Sequence, residues 1–485
     1  MKIAILYTGG TIGSVGQPLA PMAPGRFADA ARGLLGDALQ AAHPGVALHF
    51  DDGLRFPGSD TGTLDSTDLR PGDWCRMATH VVDLYSDFDG FVILHGTDTL
   101  DFTGAALPLL LNITDANGFG RAVLSKPVIL TGSQLPLFRD GPGGLVLNAG
   151  SDAFANLSGA IACARLRIPE VAVFFNTRLM RGNRVLKVST TTFAGFDSPH
   201  LPDLAGVGIG AWHGADALPG PVAPDVSLDQ NLAPVRAQLE AITARIDAVP
   251  VAQIPALPGA MLAVAVRDAT ASGARVIVMQ GFGEGNLPHG SGDLSDALRD
   301  ADAAGISVVV TSRVIGGVVG AFHYAAGAWV ADTGAISGGD MTPVAAATKA
   351  MILHATAPHH GWDRATIHAL IRRNLHGEMV ASDRLTGALL PGQAMQAADG
   401  DARLINDPDT GPALFISRAP VWQAGAPGRL QMQASRLTLT APDGRILWRS
   451  QAMPGGVPFL TTTGLHLIDP THCAAPLPII TEPPC

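Results

Sequence analysis

Short apolar runs that end in small polar residues recur along the first part of the chain. Three of these runs span residues 3–7, 91–94 and 128–130, and they precede the polar loops 8–11, 95–98 and 131–134. Runs that are apolar on both faces are typical of parallel strands covered by helices. Alanine-rich stretches at 27–42 and 101–111 have the composition and spacing of helices. The alternation predicts an α/β domain.

The polar loops after the predicted strands indicate where a ligand would bind. In open α/β sheets, ligands gather at the carboxyl ends of the strands. A further predicted strand at 171–175 leads into a basic segment, 178–187, and a polar loop, 189–202. We therefore expect one site at this edge of the sheet.

The composition and the hydrophobic pattern of the sequence change three times along the chain, and these changes predict four segments. We expect an N-terminal domain at 1–195, a Pro-, Gly- and Ala-rich connector with one helix at 196–257, a second α/β domain at 258–384 and a β-rich extension at 385–485. The predicted fold class is α/β, with a large N-terminal parallel-sheet domain, a smaller C-terminal α/β domain and a small β-rich tail.

Composition and charge narrow the class of protein. The 485 residues are 47% hydrophobic and 15% charged, which favours a globular protein. Their net charge of −10 argues against binding of nucleic acid, which needs a basic surface. No apolar run approaches the ~18 residues that span a membrane, and the start lacks an export-signal pattern. Widely spaced cysteines indicate reduced thiols. We expect a soluble cytoplasmic protein.

Two loops offer hydroxyl groups for chemistry. In 8–13 (TGGTIG), glycines allow a tight turn beside a ligand, and a threonine hydroxyl becomes a nucleophile if a base removes its proton. A phosphate-binding turn is the alternative, although the spacing is not G-x-G-x-x-G. In 95–99 (HGTDT), a second hydroxyl lies beside Asp98, which either binds an ammonium group or simply caps a helix.

Lys187 is one of four lysines in a chain that otherwise uses arginine. Lysine loses its proton when it is buried, whereas arginine does not, so a lysine in this basic segment indicates proton transfer. The alternative is an ordinary solvated lysine.

Seven ordered segments carry a specific resemblance. They are 7–13 (YTGGTIG), 65–69 (DSTDL), 91–100 (FVILHGTDTL), 127–135 (PVILTGSQL), 174–187 (FFNTRLMRGNRVLK), 338–343 (GGDMTP) and 371–379 (IRRNLHGEM). Over residues 1–383 the chain resembles the bacterial type I L-asparaginases of the asparaginase/glutaminase family. The resemblance implies a large N-terminal and a smaller C-terminal α/β domain, assembled into homodimers or homotetramers.

The resemblance also implies catalytic roles for four residues. Thr11 matches the threonine that attacks the side-chain amide, and Thr97, Asp98 and Lys187 match a second cluster. There Lys187 would act as a base through Thr97, and Asp98 would hold Lys187 and pair with the substrate ammonium. A hydroxyl needs such a base because it titrates far above neutral pH. No metal and no cofactor is implied.

Five further positions match substrate-binding positions of the family. Ser66 would bind the α-carboxylate, and Thr67 stands where some relatives carry glutamine. Backbone N–H groups around Gly10 and Gly96 would stabilise the oxyanion. Asn286 would reach the pocket of a neighbouring subunit.

The chain departs from the family pattern in two places. Family members carry a tyrosine in the loop after the first threonine, whereas this chain has tyrosine only at positions 7, 85 and 324. Leu19 occupies the equivalent position, so another group must activate Thr11. The second departure is the segment after residue 383, which has no counterpart in the family.

The leading hypothesis is an amidohydrolase that converts L-asparagine to L-aspartate and ammonia through an acyl-threonine intermediate. One alternative is a hydrolase of glutamine or another amide, because loops set the pocket length. Another is a non-catalytic amino-acid-binding protein that lost turnover together with the tyrosine. The expected partner is a small molecule, without nucleic acid or membrane.

Overall fold

The computed structural model describes residues 1–116, 118–214, 217–218, 220–221, 223–259, 261–320, 325–380, 383–385, 387–397, 402–416, 419–461, 463–469 and 477–480. The chain packs as two units. The first holds Met1–Ile113 and Ala122–Ala248, and the second holds Thr114–Arg121 and Val249–Cys485.

The main sheet of the first unit has eight described strands. The strands up to residue 213 are β1 Lys2–Tyr7, β2 Ser14–Val15, β3 Ala20–Pro21, β4 Ala47–Phe50, β5 Gly90–Leu94, β6 Ile113–Thr114, β7 Gly120–Ala122, β8 Val128–Thr131, β9 Phe138–Gly141, β10 Gly144–Leu147, β11 Val171–Phe175, β12 Arg178–Arg181, β13 Leu186–Lys187, β14 Phe196–Asp197, β15 Ala205–Val207 and β16 Ala211–His213. The sheet order is β16-β15-β12-β11-β8-β5-β1-β4. Strands β4, β1, β5, β8 and β11 run parallel, and β12, β15 and β16 continue the sheet antiparallel. The carboxyl ends of β1, β5 and β8 therefore meet at one edge.

Helices cover this sheet and bury apolar side chains against it. The described α-helices of the first unit are α1 Pro24–Ala42, α2 Pro71–Leu84, α3 Leu100–Leu110, α4 Ala153–Ala164 and α5 Leu232–Thr243. Helix α1 begins with a proline, which suits the first turn, and buries Phe27, Ala31, Leu35 and Leu39 at a spacing of about one turn. The predicted strands at 3–7, 91–94, 128–130 and 171–175 and the two predicted helices are confirmed, with small shifts at their ends.

A smaller parallel sheet forms the α/β part of the second unit. Its strands, β17 Val251–Pro255, β18 Val276–Gly281, β19 Ser307–Ser312 and β20 Ile336–Ser337, are parallel and adjacent in chain order. The described helices here are α6 Leu262–Ala271, α7 Asp293–Ala303, α8 Ala325–Ala328, α9 Pro343–His360 and α10 Arg364–Arg372. Ile277, Met279 and Leu298 are buried in its core.

The β-rich tail has a core of its own. Its described strands are β21 Ala388–Leu389, β22 Ala394–Gln396, β23 Ala402–Asp407, β24 Gly411–Ile416, β25 Ala419–Gln423, β26 Arg429–Gln433, β27 Arg436–Thr440, β28 Ile446–Arg449, β29 Val457–Thr461, β30 Gly464–Ile468 and β31 Leu477–Ile480. They form three antiparallel sheets, and the rings of Trp422 and Trp448 pack 5.6 Å apart. The predicted fold class, two α/β domains followed by a β-rich tail, is confirmed. The segment boundaries at 195, 257 and 384 stay predictions.

A buried ion pair stabilises the second unit. Lys349 Nζ lies 2.6 Å from Glu378 Oε1, and the two side chains are 1% and 3% exposed. The N–H groups of Leu375 and His376 also donate to the Glu378 carboxylate, at 2.9 and 2.7 Å. Burial opposes ionisation of Glu378, but the Lys349 ammonium and the donors outweigh it and lower the pKa of Glu378 to about 2.

We expect Glu378→Gln to lower the free energy of unfolding by ~3–5 kcal/mol at neutral pH, because it leaves a buried ammonium without its counter-charge. The native pKa lies below the unfolded value of about 4.3, so this stabilisation is complete above that value and is lost as the pH falls towards 2. Urea unfolding at several pH values measures it. Glu240→Gln, at an exposed position on α5, is the control. An equal loss in both variants would contradict the prediction.

Candidate active site

The loop after β1 requires glycine at two positions. Gly9 and Gly10 have φ values of 121° and 76°, where side chains are strained, and a Cβ on Gly9 would lie 2.1 Å from the Leu64 carbonyl oxygen. The Gly10 N–H donates to that carbonyl at 3.1 Å, so it is already engaged. Thr11 then begins a single 3-10 turn, Thr11–Gly13, rather than the long helix that a phosphate-binding turn would precede.

The buried side chain of His95 links the loop after β5 to helix α3 by hydrogen bonds. Its ring is fully buried, and Nδ1 donates to the Gly96 carbonyl at 2.6 Å while Nε2 accepts the Thr103 hydroxyl at 2.9 Å. Burial lowers the pKa of His95 to about 4, so the ring is neutral near pH 7. The residue pattern did not predict this role, although the histidine stands inside the HGTDT motif.

The two loops meet at their glycines. A Cβ on Gly10 would lie 2.2 Å from the Gly96 Cα, and a Cβ on Gly96 would lie 2.6 Å from Ser66 Oγ. Thr11 and Thr97 each follow one of these glycines, so the contact brings both threonines to the same edge of the sheet. Within the described chain the Thr11 hydroxyl has no hydrogen-bond partner, and the residue is partly exposed. It is therefore accessible to a ligand.

Lys187 reaches the second threonine across a separate hairpin. Its Nζ donates to Thr97 Oγ1 at 2.9 Å and to Asp98 Oδ1 at 2.5 Å. Its side chain is only 16% exposed, so it is not the solvated lysine of the alternative interpretation. The hydrogen bond from Lys187 keeps the pKa of Asp98 below its ordinary value despite partial burial.

Ser66 and Thr67 complete the polar cluster. Ser66 Oγ accepts the Asp98 N–H at 3.2 Å, and Thr67 Oγ1 lies 3.3 Å from Asp98 Oδ2 and donates to Asp65 at 2.8 Å. The side chain of Asp98 is thus bound to Lys187 and Thr67, and the N-cap of α3 is the next residue, Thr99. The interpretation of Asp98 as a simple helix cap is wrong.

Asn286 lies in the second unit, in the turn after β18. A Cβ on Gly327 would lie 2.5 Å from its side-chain oxygen, so the carboxamide packs against that glycine. Its predicted contribution to a neighbouring subunit's pocket stays a prediction.

The two tyrosines that the structure describes, Tyr7 and Tyr85, are buried, whereas the residue at the family's tyrosine position lies at the surface. Leu19 is 57% exposed in the short hairpin β2–β3. Tyr7 is buried with its ring stacked on Phe27, and burial raises the pKa of its phenol. The Tyr85 hydroxyl is hydrogen-bonded to Ser125 at 2.9 Å. The third tyrosine, at position 324, lies outside the described residues.

The described residues contain no group of three or more His, Cys, Asp or Glu side chains arranged to hold a metal ion. Over the same residues, every helix is too short or too polar to cross a membrane.

Comparison with known proteins agrees with this geometry. Residues 2–216 match the family model described as Asparaginase, N-terminal, and residues 251–371 match the one described as Glutaminase/Asparaginase C-terminal domain. The chain belongs to the asparaginase family. This confirms the resemblance found in the sequence motifs, and neither match extends past residue 371 into the tail.

Two L-asparaginase relatives align along nearly their whole length. The chain is 32% identical over 383 residues to L-asparaginase 1 of Escherichia coli K12, covering 79% of this chain and 99% of the relative. It is 31% identical over 385 residues to L-asparaginase of Thermococcus kodakarensis, covering 79% and 100%. The solved L-asparaginase I of Vibrio cholerae has a TM-score of 0.59 at 28% identity and covers 78% of this chain and 98% of that one.

Proposed function

We propose that this protein is an amidohydrolase that converts L-asparagine to L-aspartate and ammonia through an acyl-threonine intermediate on Thr11. One observation carries the mechanism: a largely buried lysine is bonded to Thr97 and Asp98, next to the Gly10–Gly96 contact that positions Thr11. Family membership supports the reaction.

In the first step Thr11 Oγ attacks the carbonyl carbon of the substrate amide. The hydroxyl proton passes to the departing nitrogen, which leaves as ammonia, and an ester to Thr11 remains. Water then cleaves the ester, and its proton restores the Thr11 hydroxyl. Lys187 acts as the base in its amine form: it accepts a proton through the Thr97 hydroxyl and returns it, because 2.9 Å is within the range of direct transfer.

Asp98 also suits recognition of the amino acid. Its carboxylate is 60% exposed and is held ionised by Lys187, so it can pair with the substrate α-ammonium while it holds the base. We assign the α-carboxylate to the hydroxyl of Ser66, which lies against the same loop.

We expect the purified protein to release ammonia from L-asparagine without added metal or nucleotide, and EDTA to leave the rate unchanged. The reason is that the proposed steps use only hydroxyl, amine and carboxylate groups. A coupled ammonia assay measures this, with L-glutamine as a second substrate to test the choice of amide. Loss of all activity in EDTA would contradict the mechanism.

Thermal unfolding distinguishes a binding protein from an enzyme. If L-asparagine raises the melting temperature but releases no ammonia, the chain is an amino-acid-binding protein. The exposed Leu19 at the tyrosine position is the feature that favours this second function.

Assembly and location complete the proposal. We propose a homodimer or homotetramer, as the family resemblance implies, and a location in the cytoplasm. The two cysteines within the described residues, Cys75 and Cys163, are free and buried thiols, which agrees with a reducing compartment. Light scattering of the purified protein tests the assembly.

A further inference from the structure

A second carboxylate, which the mechanism above does not use, lies beside Lys187. The Lys187 main-chain N–H donates to Asp101 Oδ2 at 3.2 Å, and the Phe102 N–H donates to Asp101 Oδ1 at 3.0 Å. Asp101 is 6% exposed. Both of its carboxylate oxygens therefore accept hydrogen bonds from backbone N–H groups, and one of these N–H groups belongs to Lys187, the proposed base.

The hairpin that carries Lys187 is short. Strand β13 is two residues long and pairs only with β14, where Lys187 faces Phe196. This pair of strands is separate from the main sheet. Since the Lys187 side chain must meet Thr97 and Asp98 at fixed distances, the position of its main chain decides whether the relay can form.

Asp101 lies on the element that carries the partners of Lys187. It is in the first turn of α3, directly after the loop that holds Thr97 and Asp98. The bonds from Lys187 Nζ to Thr97 and Asp98 and the bond from Lys187 N–H to Asp101 thus close a ring between one loop and one hairpin.

Close backbone packing brings the two elements within this reach. A Cβ on Gly104 of α3 would lie 2.7 Å from the Gly182 carbonyl oxygen, and a Cβ on Gly182 would lie 2.7 Å from the Gly104 carbonyl oxygen. Glycine at both positions allows α3 to lie directly against the segment that leads into β13.

Stabilisation of the α3 dipole alone does not explain why Asp101 is buried. An acidic residue near a helix N-terminus stabilises the helix from an exposed position. Burial instead opposes ionisation and raises the pKa of Asp101, and the backbone N–H bonds together with the charge of Lys187 offset only part of that cost.

We propose that Asp101 is a positioning residue for Lys187: it fixes the main chain of β13 to the first turn of α3, so that Lys187 Nζ meets Thr97 and Asp98 together. The proposal rests on the proposed function, since it takes Lys187 as the base. Asp101 acts through Lys187 and does not touch substrate.

Steady-state kinetics provide the first test. We expect Asp101→Ala to lower kcat for L-asparagine by ~10²-fold, since small misplacements of a catalytic group cost about this much. KM should stay within about twofold, because substrate contacts are intact. Asp101→Asn keeps one acceptor oxygen and should restore part of the loss. The control is Asp51→Asn, whose carboxylate accepts the Gly53 and Leu54 N–H groups after the edge strand β4; its kcat should match the parent's.

Nuclear magnetic resonance of the lysines provides a test that does not need activity. The four lysines give few signals in protein labelled at lysine Cε, and Lys187→Arg assigns the relevant one. Asp101→Ala should move the Lys187 signal and leave the others in place, whereas Asp51→Asn should move none. A folded Asp101→Ala protein with an unchanged Lys187 signal overturns the proposal, as does a kcat equal to that of an active parent. If the parent releases no ammonia, the proposed function fails separately and the Lys187 signal decides the role of Asp101.

Discussion

Lys187→Met is expected to lower kcat for L-asparagine by ~10²–10⁴-fold, which is the usual contribution of a general base. Thr97→Val, which keeps the side-chain shape, should have a similar effect because it removes the hydroxyl that Lys187 contacts at 2.9 Å. Thr11→Ala removes the nucleophile and should cost ~10³-fold or more. Ammonia release at saturating substrate measures all three.

Combining these changes should add much less than the product of the single effects, since groups that serve one step fail together. Asp98→Asn should differ by also raising KM, because it removes the proposed partner of the substrate ammonium. Lys126→Met is a matched control: Lys126 is 19% exposed and pairs with Asp229 at 3.0 Å, comparable with Lys187. Independent, multiplicative losses would show that Thr11, Thr97 and Lys187 do not share a step.

Leu19→Tyr is expected to raise kcat by ~10-fold or more while asparagine affinity changes little, because a hydroxyl beside Thr11 would supply the missing general-base assistance. Leu19→Ala should instead raise KM, since Leu19 can only exclude water and pack against substrate. As a control, Leu34→Tyr changes an exposed leucine on helix α1 and should alter neither kcat nor KM. Initial rates over a range of L-asparagine concentrations measure both constants.

A tyrosine elsewhere in the chain is the alternative source of a hydroxyl that activates Thr11, and the same assay would detect it. If Leu19→Tyr lowers turnover while Tyr85→Phe or Tyr324→Phe abolishes it, the assignment of Leu19 is wrong. The Tyr85 hydroxyl already binds Ser125 and accepts the Lys126 N–H at 3.1 Å, so we expect Tyr85→Phe to act on stability rather than turnover.

Local sequence determined the strands and the loops that end them. Runs such as β1 and β5 are apolar on both faces because helices cover both sides of the parallel sheet, and this burial follows from residue types alone. The glycines of the TGGTIG motif were also predictable as a tight turn, since their φ values and the approach of Leu64 exclude side chains.

In the tail, the sequence pattern predicts strands but not how they pair into sheets. Alternation predicted its strands, and the one at 436–440 matches β27. It did not predict three sheets or the contact between Trp422 and Trp448, because strand pairing depends on register between separate hairpins.

Only the tertiary structure decided which polar residues are partners. Asp98 and Lys187 are 89 positions apart, and Lys187 and Asp101 are 86 apart, so no local spacing could show that one lysine contacts both aspartates. The residue types alone left Asp98 open as a helix cap and Lys187 as a solvated cation. The order of strands brings the loop after β5 beside that after β1, and packing of α3 against Gly182 brings β13 to them. The hydrogen bond from Lys187 then lowers the pKa of Asp98, whose side chain stays 60% exposed, so a contact between distant segments sets the charge of this carboxylate.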